Sequence, residues 1–393
     1  MHMIFFFDIA RPPFNKNSIH IKYAKHIKQL FQWQIQKISN KKIKIINFDF
    51  EEKGGFSRQR FYSLMNLEYI EENWAKIYDA KPTSNASEYI AKFIPKDSLV
   101  LSYEISPILI KIFDIIKVNY IDIRISSIKY LDDLIFGFKT NNPLIFNKLL
   151  KYKTPVDQYF FEASLIRSRN IVLNNINLEE NSALFLEQTA SDASLIKNGK
   201  ILNILDFKNQ FMQKTKDFNV IYYKKHPYQK NNSADYKFIT KFKNVKLIDG
   251  SIYRILSNES IKECFSISSG VLQEAEYFNK KTDYFFNPIY DFLKDEESDF
   301  SDKKYISVYN KALEPNFWSD ILSPIIKTTK CNNVILSPNQ SRVRYLHNLY
   351  WGYEDKNDES IKKISMKFEK LNDRRIIKKL HKFIKSLKKL SRI

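Results

Sequence analysis

The sequence contains almost no cysteine and little glycine, and both shortages narrow the possible functions. Its two cysteines, Cys264 and Cys331, are too few for a disulfide framework and lack the spacing of metal ligands. Only seven glycines occur in 393 residues, and none stands in a G-x-G-x-x-G pattern. The dinucleotide-binding fingerprint is therefore absent.

Long apolar runs are also missing. No run approaches the roughly 20 residues that cross a bilayer. The segment MHMIFFFDIA is apolar for a few residues, but it lacks a basic region and is followed by Arg-Pro-Pro, which predicts a buried strand and not a signal peptide. Core material is abundant, because 44% of the residues are hydrophobic and 15% are aromatic. This composition predicts a cytoplasmic protein with two buried cores.

The formal net charge of +20 is concentrated near the C-terminal end. Residues 362–392 contain thirteen Lys and Arg against two acidic residues, Glu369 and Asp373. Apolar residues recur between the lysines at helical spacing, which predicts a basic amphipathic helix. Such a helix suits an anionic membrane surface, and it equally suits a closing helix that packs on the protein body. No aromatic platform accompanies the charge, so a nucleic-acid partner is not predicted.

Short apolar runs alternate with longer amphipathic ones, which is the pattern of an α/β protein. Because the pattern restarts near residue 175, we predict an N-terminal domain over 1–175, a second domain over 176–345 and basic C-terminal helices over 346–393. A cleft lined by the carboxyl ends of strands from both domains is the expected ligand site. The longest predicted helices cover residues 20–38, 59–79 and 194–216.

The segment LFLEQTASDASLIKNG contains the first group of candidate site residues. An apolar strand is predicted to end near Gln188, and a polar turn then presents Thr189, Asp192 and Ser194. Hydroxyl groups, an amide and a carboxylate at the carboxyl end of a strand are suited to ligand binding. The alternative is an ordinary strand-to-helix turn in which Ser191 or Asp192 serves as an N-cap.

A second predicted strand, VIYYKK, runs into Lys225, His226 and Pro227. Of the six histidines, only this one follows a strand so directly. The proline stops the strand and biases His226 toward an extended conformation, in which its ring can project into a cleft. A purely structural His-Pro at the entry to a loop is the alternative.

The third segment, CFSISSGVLQEAEYF, passes from a predicted strand through Ser268, Ser269 and Gly270 into a helix. Hydroxyls and free backbone N–H groups at the start of a helix can hold a phosphate. Glu274 lies in the first turns of that helix, where it could accept a hydrogen bond from a ribose or a base. A plain N-cap explains either serine equally well.

These three segments, in this order and at this spacing, resemble the bacterial retaining β-Kdo transferases of capsule and O-antigen synthesis. In that family a strand precedes a Q-T-x-x-D-A-S turn, a later strand ends in His-Pro, and a serine-rich turn precedes a Glu-Ala pair. The corresponding residues here are 188–194, 226–227 and 268–275, and the resemblance covers residues 180–292. The bacterial CMP-sugar sialyltransferases share the more general Gln and His-Pro features.

The resemblance implies a GT-B fold, in which two Rossmann-like domains face each other, and a reaction with a CMP-sugar donor and no metal ion. The absence of a strand-terminal D-x-D motif agrees with this. Retention of the β-anomeric configuration by double displacement is implied, with Asp192 as the nucleophile. His226 would stabilise the CMP phosphate, and Glu274 would bind the ribose. The implied donor-binding residues are Gln188, Thr189, Ser194, Lys225, Pro227, Ser268, Ser269, Gly270 and Glu274.

Double displacement also needs an acid/base, which we expect from the N-terminal domain. The strand SLVLSYE ends at Glu104, which is the preferred candidate, and Asp122 is the reserve. A solvated or salt-bridged carboxylate is the alternative for each. Kdo has a carboxylate of its own, and arginine can hold such a group with two hydrogen bonds. The candidates for this role are Arg58, Arg60 and Arg124, and surface charge is the alternative for each.

The sequence therefore predicts a metal-independent glycosyltransferase that moves β-Kdo from CMP-Kdo to a glycan or glycolipid acceptor in capsule or lipopolysaccharide O-antigen synthesis. One alternative is an inverting sialyltransferase that uses CMP-sialic acid. A second alternative is a catalytically inactive glycan-binding protein at the membrane surface. If the basic tail binds lipid, the protein is expected at the inner membrane as a peripheral protein.

Overall fold

The three-dimensional arrangement is that of a computed structural model. The structure describes residues 1–11, 19–45, 55–173, 176–189, 192–226, 233–287 and 290–332. The predicted C-terminal helices over 346–393, and with them the basic tail, lie outside the described residues. Within the described ranges, no helix is long and apolar enough to cross a membrane.

The described residues form fourteen strands and twelve α-helices. The strands are β1 His2–Phe6, β2 Ile43–Ile45, β3 Ser98–Tyr103, β4 Asn119–Ile125, β5 Phe136–Thr140, β6 Ser182–Leu186, β7 Ile196–Lys197, β8 Lys200–Ile201, β9 Val220–Lys224, β10 Val245–Leu247, β11 Ile261–Ser266, β12 Lys281–Tyr284, β13 Asp291–Phe292 and β14 Lys304–Val308. The helices are α1 Ile19–Ser39, α2 Arg58–Leu64, α3 Trp74–Tyr78, α4 Ser84–Ala91, α5 Pro107–Ile115, α6 Pro143–Leu150, α7 Val156–Leu173, α8 Lys208–Asp217, α9 Ala234–Ile239, α10 Ile252–Leu256, α11 Val271–Tyr277 and α12 Pro315–Leu322.

The first sheet has seven strands in the order β13-β14-β5-β4-β3-β1-β2. Strands β1 to β4 are parallel, and Phe5 of β1 pairs with Leu101 of β3. The continuous apolar runs of β1 and β3 are buried except at His2, as expected for parallel strands that are covered on both faces. Strands β5 and β14 continue the sheet with antiparallel pairings.

The second sheet has five parallel strands in the order β10-β9-β6-β11-β12. The middle strand β6 is buried along its whole length. Its side chains alternate between two cores, because successive residues of a strand point to opposite faces. Leu184 and Leu186 belong to one core, and Ala183 and Phe185 belong to the other. The predicted α/β class, with parallel sheets, is confirmed.

The chain returns to the first sheet after the second is complete. Strands β13 and β14 pair there, and α12 packs beside it through Trp318, whose ring contacts Phe31 of α1 and Phe138 of β5. Both sheets belong to one compact unit, Met1–Val343. Strands β13 and β14 therefore lie within the predicted range 176–345 but belong to the first sheet. Helix α12, from the same range, completes the aromatic core between α1 and β5.

Two of the long predicted helices are interrupted. The predicted helix over 59–79 ends at α2, and Asn66 then takes a left-handed φ of 58° before a short 3-10 turn leads into α3. The predicted helix over 194–216 begins with the small hairpin β7–β8 instead. Asn198 and Gly199 form its turn with φ values of 49° and 75°, and an Asn-Gly pair favours a tight hairpin turn of this kind.

Candidate active site at two strand-crossover points

The second sheet changes its winding direction between β6 and β11. Strands β9 and β10 lie on one side of β6, whereas β11 and β12 lie on the other. The connections leave the carboxyl ends of β6 and β11 in opposite directions, and the crevice between them is where open α/β sheets bind ligands. Gln188 follows β6 and Ser268 follows β11, so two of the predicted donor-binding residues lie at this point.

Gln188 is buried and joins the predicted segments to one another. Its Oε1 accepts a hydrogen bond from the backbone N–H of Ser268 at 2.7 Å. Its Nε2 donates to Ser194 Oγ at 3.0 Å and lies 3.3 Å from Asp192 Oδ2. Ser268 Oγ donates in turn to the Ser194 carbonyl at 3.0 Å. The structure thus brings four of the predicted site residues into one hydrogen-bonded cluster.

Asp192 combines a local role with a position in this cluster. Its Oδ1 accepts from the Ser194 backbone N–H at 2.9 Å and caps the short 3-10 helix Ala193–Leu195. The second oxygen is the one that Gln188 reaches. The N-cap interpretation of the sequence is therefore correct, and the same carboxylate also stands at the crevice. Thr189 precedes it and is half-buried.

His226 lies close enough to Asp192 for the two charges to interact. Burial lowers the pKa of His226, while the Asp192 carboxylate acts in the opposite direction. The His226 backbone N–H donates to Glu187 Oε2 at 3.1 Å, which ties the end of β9 to the end of β6. Lys225 is half-buried beside it, and Pro227 lies outside the described residues.

The turn before α11 packs against the first half of the chain. A Cβ atom at Gly270 would lie 2.7 Å from the Ser127 Cβ, so only glycine fits there without a shift. Ser269 Oγ accepts from the Val271 N–H at 3.3 Å, a capping role. Glu274 is buried, and its Oε1 accepts from the Lys129 N–H at 2.7 Å. Glu274 therefore binds protein groups in this arrangement, and its contact with a ribose stays a prediction.

The first sheet has its own change of winding direction, between β1 and β3, because β2 lies on one side of β1 and β3 on the other. Asp8 follows β1 there, and its Oδ1 accepts from Ser106 Oγ at 2.9 Å and from the Ala10 N–H at 3.1 Å. Burial raises the pKa of Asp8 from 3.8 to about 6, although Ser106, Ala10, Arg11 and Arg58 all act to lower it. The sequence analysis missed this residue. The signal available was a carboxylate directly after the apolar run IFFF.

Glu104 adopts a left-handed φ of 46°, which is uncommon for a residue other than glycine and costs backbone energy. Its Oε1 lies 3.7 Å from Arg124 Nη2, and the Arg124 guanidinium lies over the ring of Tyr290. Of the other candidate arginines, Arg58 is buried near Asp8, whereas Arg60 is exposed over the ring of Tyr89. The arginine that accompanies Glu104 is therefore Arg124.

Tyr290 lies within electrostatic range of both the Asp192 cluster and the Glu104–Arg124 pair. The sequence analysis assigned it no role. Its hydroxyl lies 3.5 Å from the hydroxyl of Tyr78. Burial raises the pKa of Tyr290; Arg124 opposes this shift, while Asp192 and Glu104 add to it. The phenol is thus within electrostatic range of the predicted nucleophile in one half of the chain and of the predicted acid/base in the other.

Asp122, the reserve acid/base, is fully buried inside the first sheet. Ser102 Oγ and Tyr305 OH each donate to it at 2.6 Å, and the Ile105 N–H donates at 3.2 Å. Both oxygens are occupied by protein donors, from β3, from β14 and from the loop that follows β3. This is the environment of a structural anchor, and a role for Asp122 as the acid/base stays a prediction.

No protein-family model matches the chain, and no curated protein matches its sequence. Among solved structures, it is similar to a β-Kdo 2,7 transferase, KpsC of Thermosulfurimonas dismutans, at a TM-score of 0.34 and 14% identity over 61% of this chain and 80% of that chain. The β-Kdo 2,4 transferase of the same KpsC gives 0.33 and 14% over 57% and 79%. UDP-GlcNAc 2-epimerase from Methanocaldococcus jannaschii gives 0.24 and 11% over 72% and 83%.

Proposed function

We propose that the protein is a retaining glycosyltransferase of GT-B architecture that moves β-Kdo from CMP-Kdo to a glycan acceptor in capsule or O-antigen synthesis. The observation that supports this most is the convergence of Gln188, Asp192, Ser194 and Ser268, with His226 beside them, where the second sheet changes winding direction. These are the residues through which the sequence resembles the β-Kdo transferases. The proposal includes no metal ion.

In the first step the Asp192 carboxylate attacks the anomeric carbon of Kdo. The bond from that carbon to the phosphate oxygen breaks, CMP leaves with the electron pair, and a Kdo–aspartyl ester forms. His226 donates a hydrogen bond to the leaving phosphate from a neutral ring, because its lowered pKa keeps it uncharged near pH 7. Ser269 donates its hydroxyl to the same phosphate, and Ser268 does so once its hydroxyl turns away from the Ser194 carbonyl.

In the second step a carboxylate of the first sheet takes the proton of the acceptor hydroxyl, and the acceptor oxygen attacks the anomeric carbon. The bond from this carbon to the Asp192 oxygen breaks, the Asp192 carboxylate leaves with the electron pair, and the β configuration is restored. Glu104 is the preferred base, and Arg124 beside it can hold the Kdo carboxylate. Asp8 is a second candidate, because a pKa of about 6 suits a group that both accepts and donates a proton near neutral pH.

Intact-protein mass spectrometry after incubation with freshly made CMP-Kdo tests the proposal. Wild type should gain the mass of one Kdo at Asp192, and Asp192→Asn should gain nothing. Asp217→Asn changes an exposed aspartate at the end of α8, before the amino end of β9, and is the matched control that should behave as wild type. Release of CMP without any adduct would favour direct displacement, as in an inverting transferase. If no adduct forms and no CMP is released, CMP-Kdo is not the donor.

A further inference from the structure

A cavity of about 240 Å³ opens beside the Asp192 cluster, on the Phe185 side of β6. Its walls are mainly apolar and include Phe185, Leu195, Ile201 and Ile267. For comparison, a cavity of about 150 Å³ holds a benzene ring. The space is therefore sufficient for one six-membered heterocycle between apolar walls.

Polar groups interrupt these walls at a few positions. Glu187 and Asp235 both line the cavity. Burial raises the pKa of each, and the charge of Asp235 adds to the shift at Glu187, so the two carboxyl groups are within electrostatic range. Asn203 lines it too, and its Oδ1 already accepts from the Leu205 N–H at 2.9 Å. The side-chain NH₂ of Asn203 adds a hydrogen-bond donor to the same lining.

Gln188 belongs to both the cavity and the crevice. It lines the cavity, and its amide contacts Asp192, Ser194 and Ser268. Gln188 therefore lies between the cavity and the Asp192 carboxylate, and a ligand that reaches both sites must pass it. A nucleotide has a suitable shape, because its base and its phosphate lie at opposite ends of a ribose.

We propose that this cavity binds the pyrimidine base of the donor nucleotide and selects cytosine over uracil through Glu187, Asp235 and Asn203. The inference rests on the proposed function, which supplies a nucleotide-activated sugar as the ligand. Cytosine has an exocyclic amino group that donates to a carboxyl oxygen, and its ring carbonyl accepts from an amide N–H. Uracil has a carbonyl in place of the amino group. While the two carboxyl groups are ionised, they give that oxygen no donor.

Calorimetric titration of the full chain with CMP and with UMP tests the inference, because the two ligands differ in the polar edge that the carboxyl groups would contact. Wild type should bind CMP about tenfold or more tightly than UMP. Glu187→Met and Asp235→Leu should each reduce that preference to about threefold or less. Glu179→Gln removes an exposed carboxylate that pairs with Lys246, and it should keep the full preference.

Saturation-transfer NMR on wild-type protein gives a readout that does not depend on any variant folding. The H5 and H6 protons of CMP should receive more saturation than its ribose protons, because the base lies between apolar side chains. Equal affinity for CMP and UMP, or saturation confined to the ribose, would overturn the inference. If either result is obtained but CMP-Kdo is still cleaved, the proposed function stands and only the inference about the cavity fails. If CMP neither binds nor is released, both fail.

Discussion

Replacing Asp8 by asparagine should make the fold more stable at neutral pH. Asp8 is 3% exposed, and its pKa is raised from 3.8 to about 6 by burial. The difference between these two pKa values corresponds to about 3 kcal/mol of destabilisation by the ionised carboxylate. Asparagine has nearly the same shape, keeps an oxygen for Ser106 and Ala10, and carries no charge at any pH.

The sign follows from proton linkage. Because the pKa of Asp8 is higher in the folded state, its contribution is most favourable when the carboxyl group is protonated and is lost as the pH rises through about 6. The asparagine that replaces it does not titrate. The unfolding free energy of Asp8→Asn relative to wild type should therefore increase with pH, by about 2 kcal/mol between pH 4 and pH 7.

Urea unfolding of wild type and Asp8→Asn at pH 4, 5.5 and 7 measures this difference. Asp249→Asn, an exposed site, is the control and should show a much smaller pH dependence. The change with pH is the quantity to compare, because altered hydrogen bonds to Ser106 add an offset that does not depend on pH. A difference that stays constant, or that falls as the pH rises, would refute the reasoning. A variant that is more stable but less active would indicate that Asp8 is needed for chemistry.

Two further predictions concern packing. Gly270→Ala places a Cβ 2.7 Å from the Ser127 Cβ, so urea unfolding should show that the free energy of unfolding falls by about 1–3 kcal/mol. Adding Ser127→Gly should largely restore it. An unchanged urea midpoint for Gly270→Ala would contradict this close contact. Burial raises the pKa of the Cys264 thiol to about 12, so a thiol reagent should modify only Cys331 in the native protein and reach Cys264 after unfolding. Two rapidly reacting thiols would show that Cys264 is accessible.

The central parallel strands were predictable because each carries its own signal. Strands β1, β3 and β6 are short, mainly apolar runs that are buried on both faces, and the sequence shows such runs directly. Strand β5 was missed because its burial depends on distant partners. Phe136 and Phe138 pack on Phe31, and Phe138 also packs on Trp318, at the far end of the described chain. Local patterning carries no information about that packing.

The same distinction applies to the site. Gln188, Asp192 and Ser268 were predicted because they stand in three recognisable segments at the ends of strands. Tyr290 was missed, because its importance comes from lying between Asp192 and Arg124, which are far apart in the sequence. Asp8 was missed for a related reason. Its raised pKa arises from burial at a crossover of strands, and only the strand order shows where that crossover lies.

The winding of the two sheets explains the positions of the polar side chains that are buried at the ends of their strands. In each sheet the connections diverge at one pair of strands, and there the buried apolar runs end in polar side chains, Asp8 in one sheet and Glu187 and Gln188 in the other. Domains are stable by only about 5–15 kcal/mol. A carboxylate that costs about 3 kcal/mol at neutral pH is a poor choice for a purely structural position, since an amide would make the same contacts. The placement of Asp8 where the connections of the first sheet diverge therefore argues for a role in proton transfer or in holding a ligand.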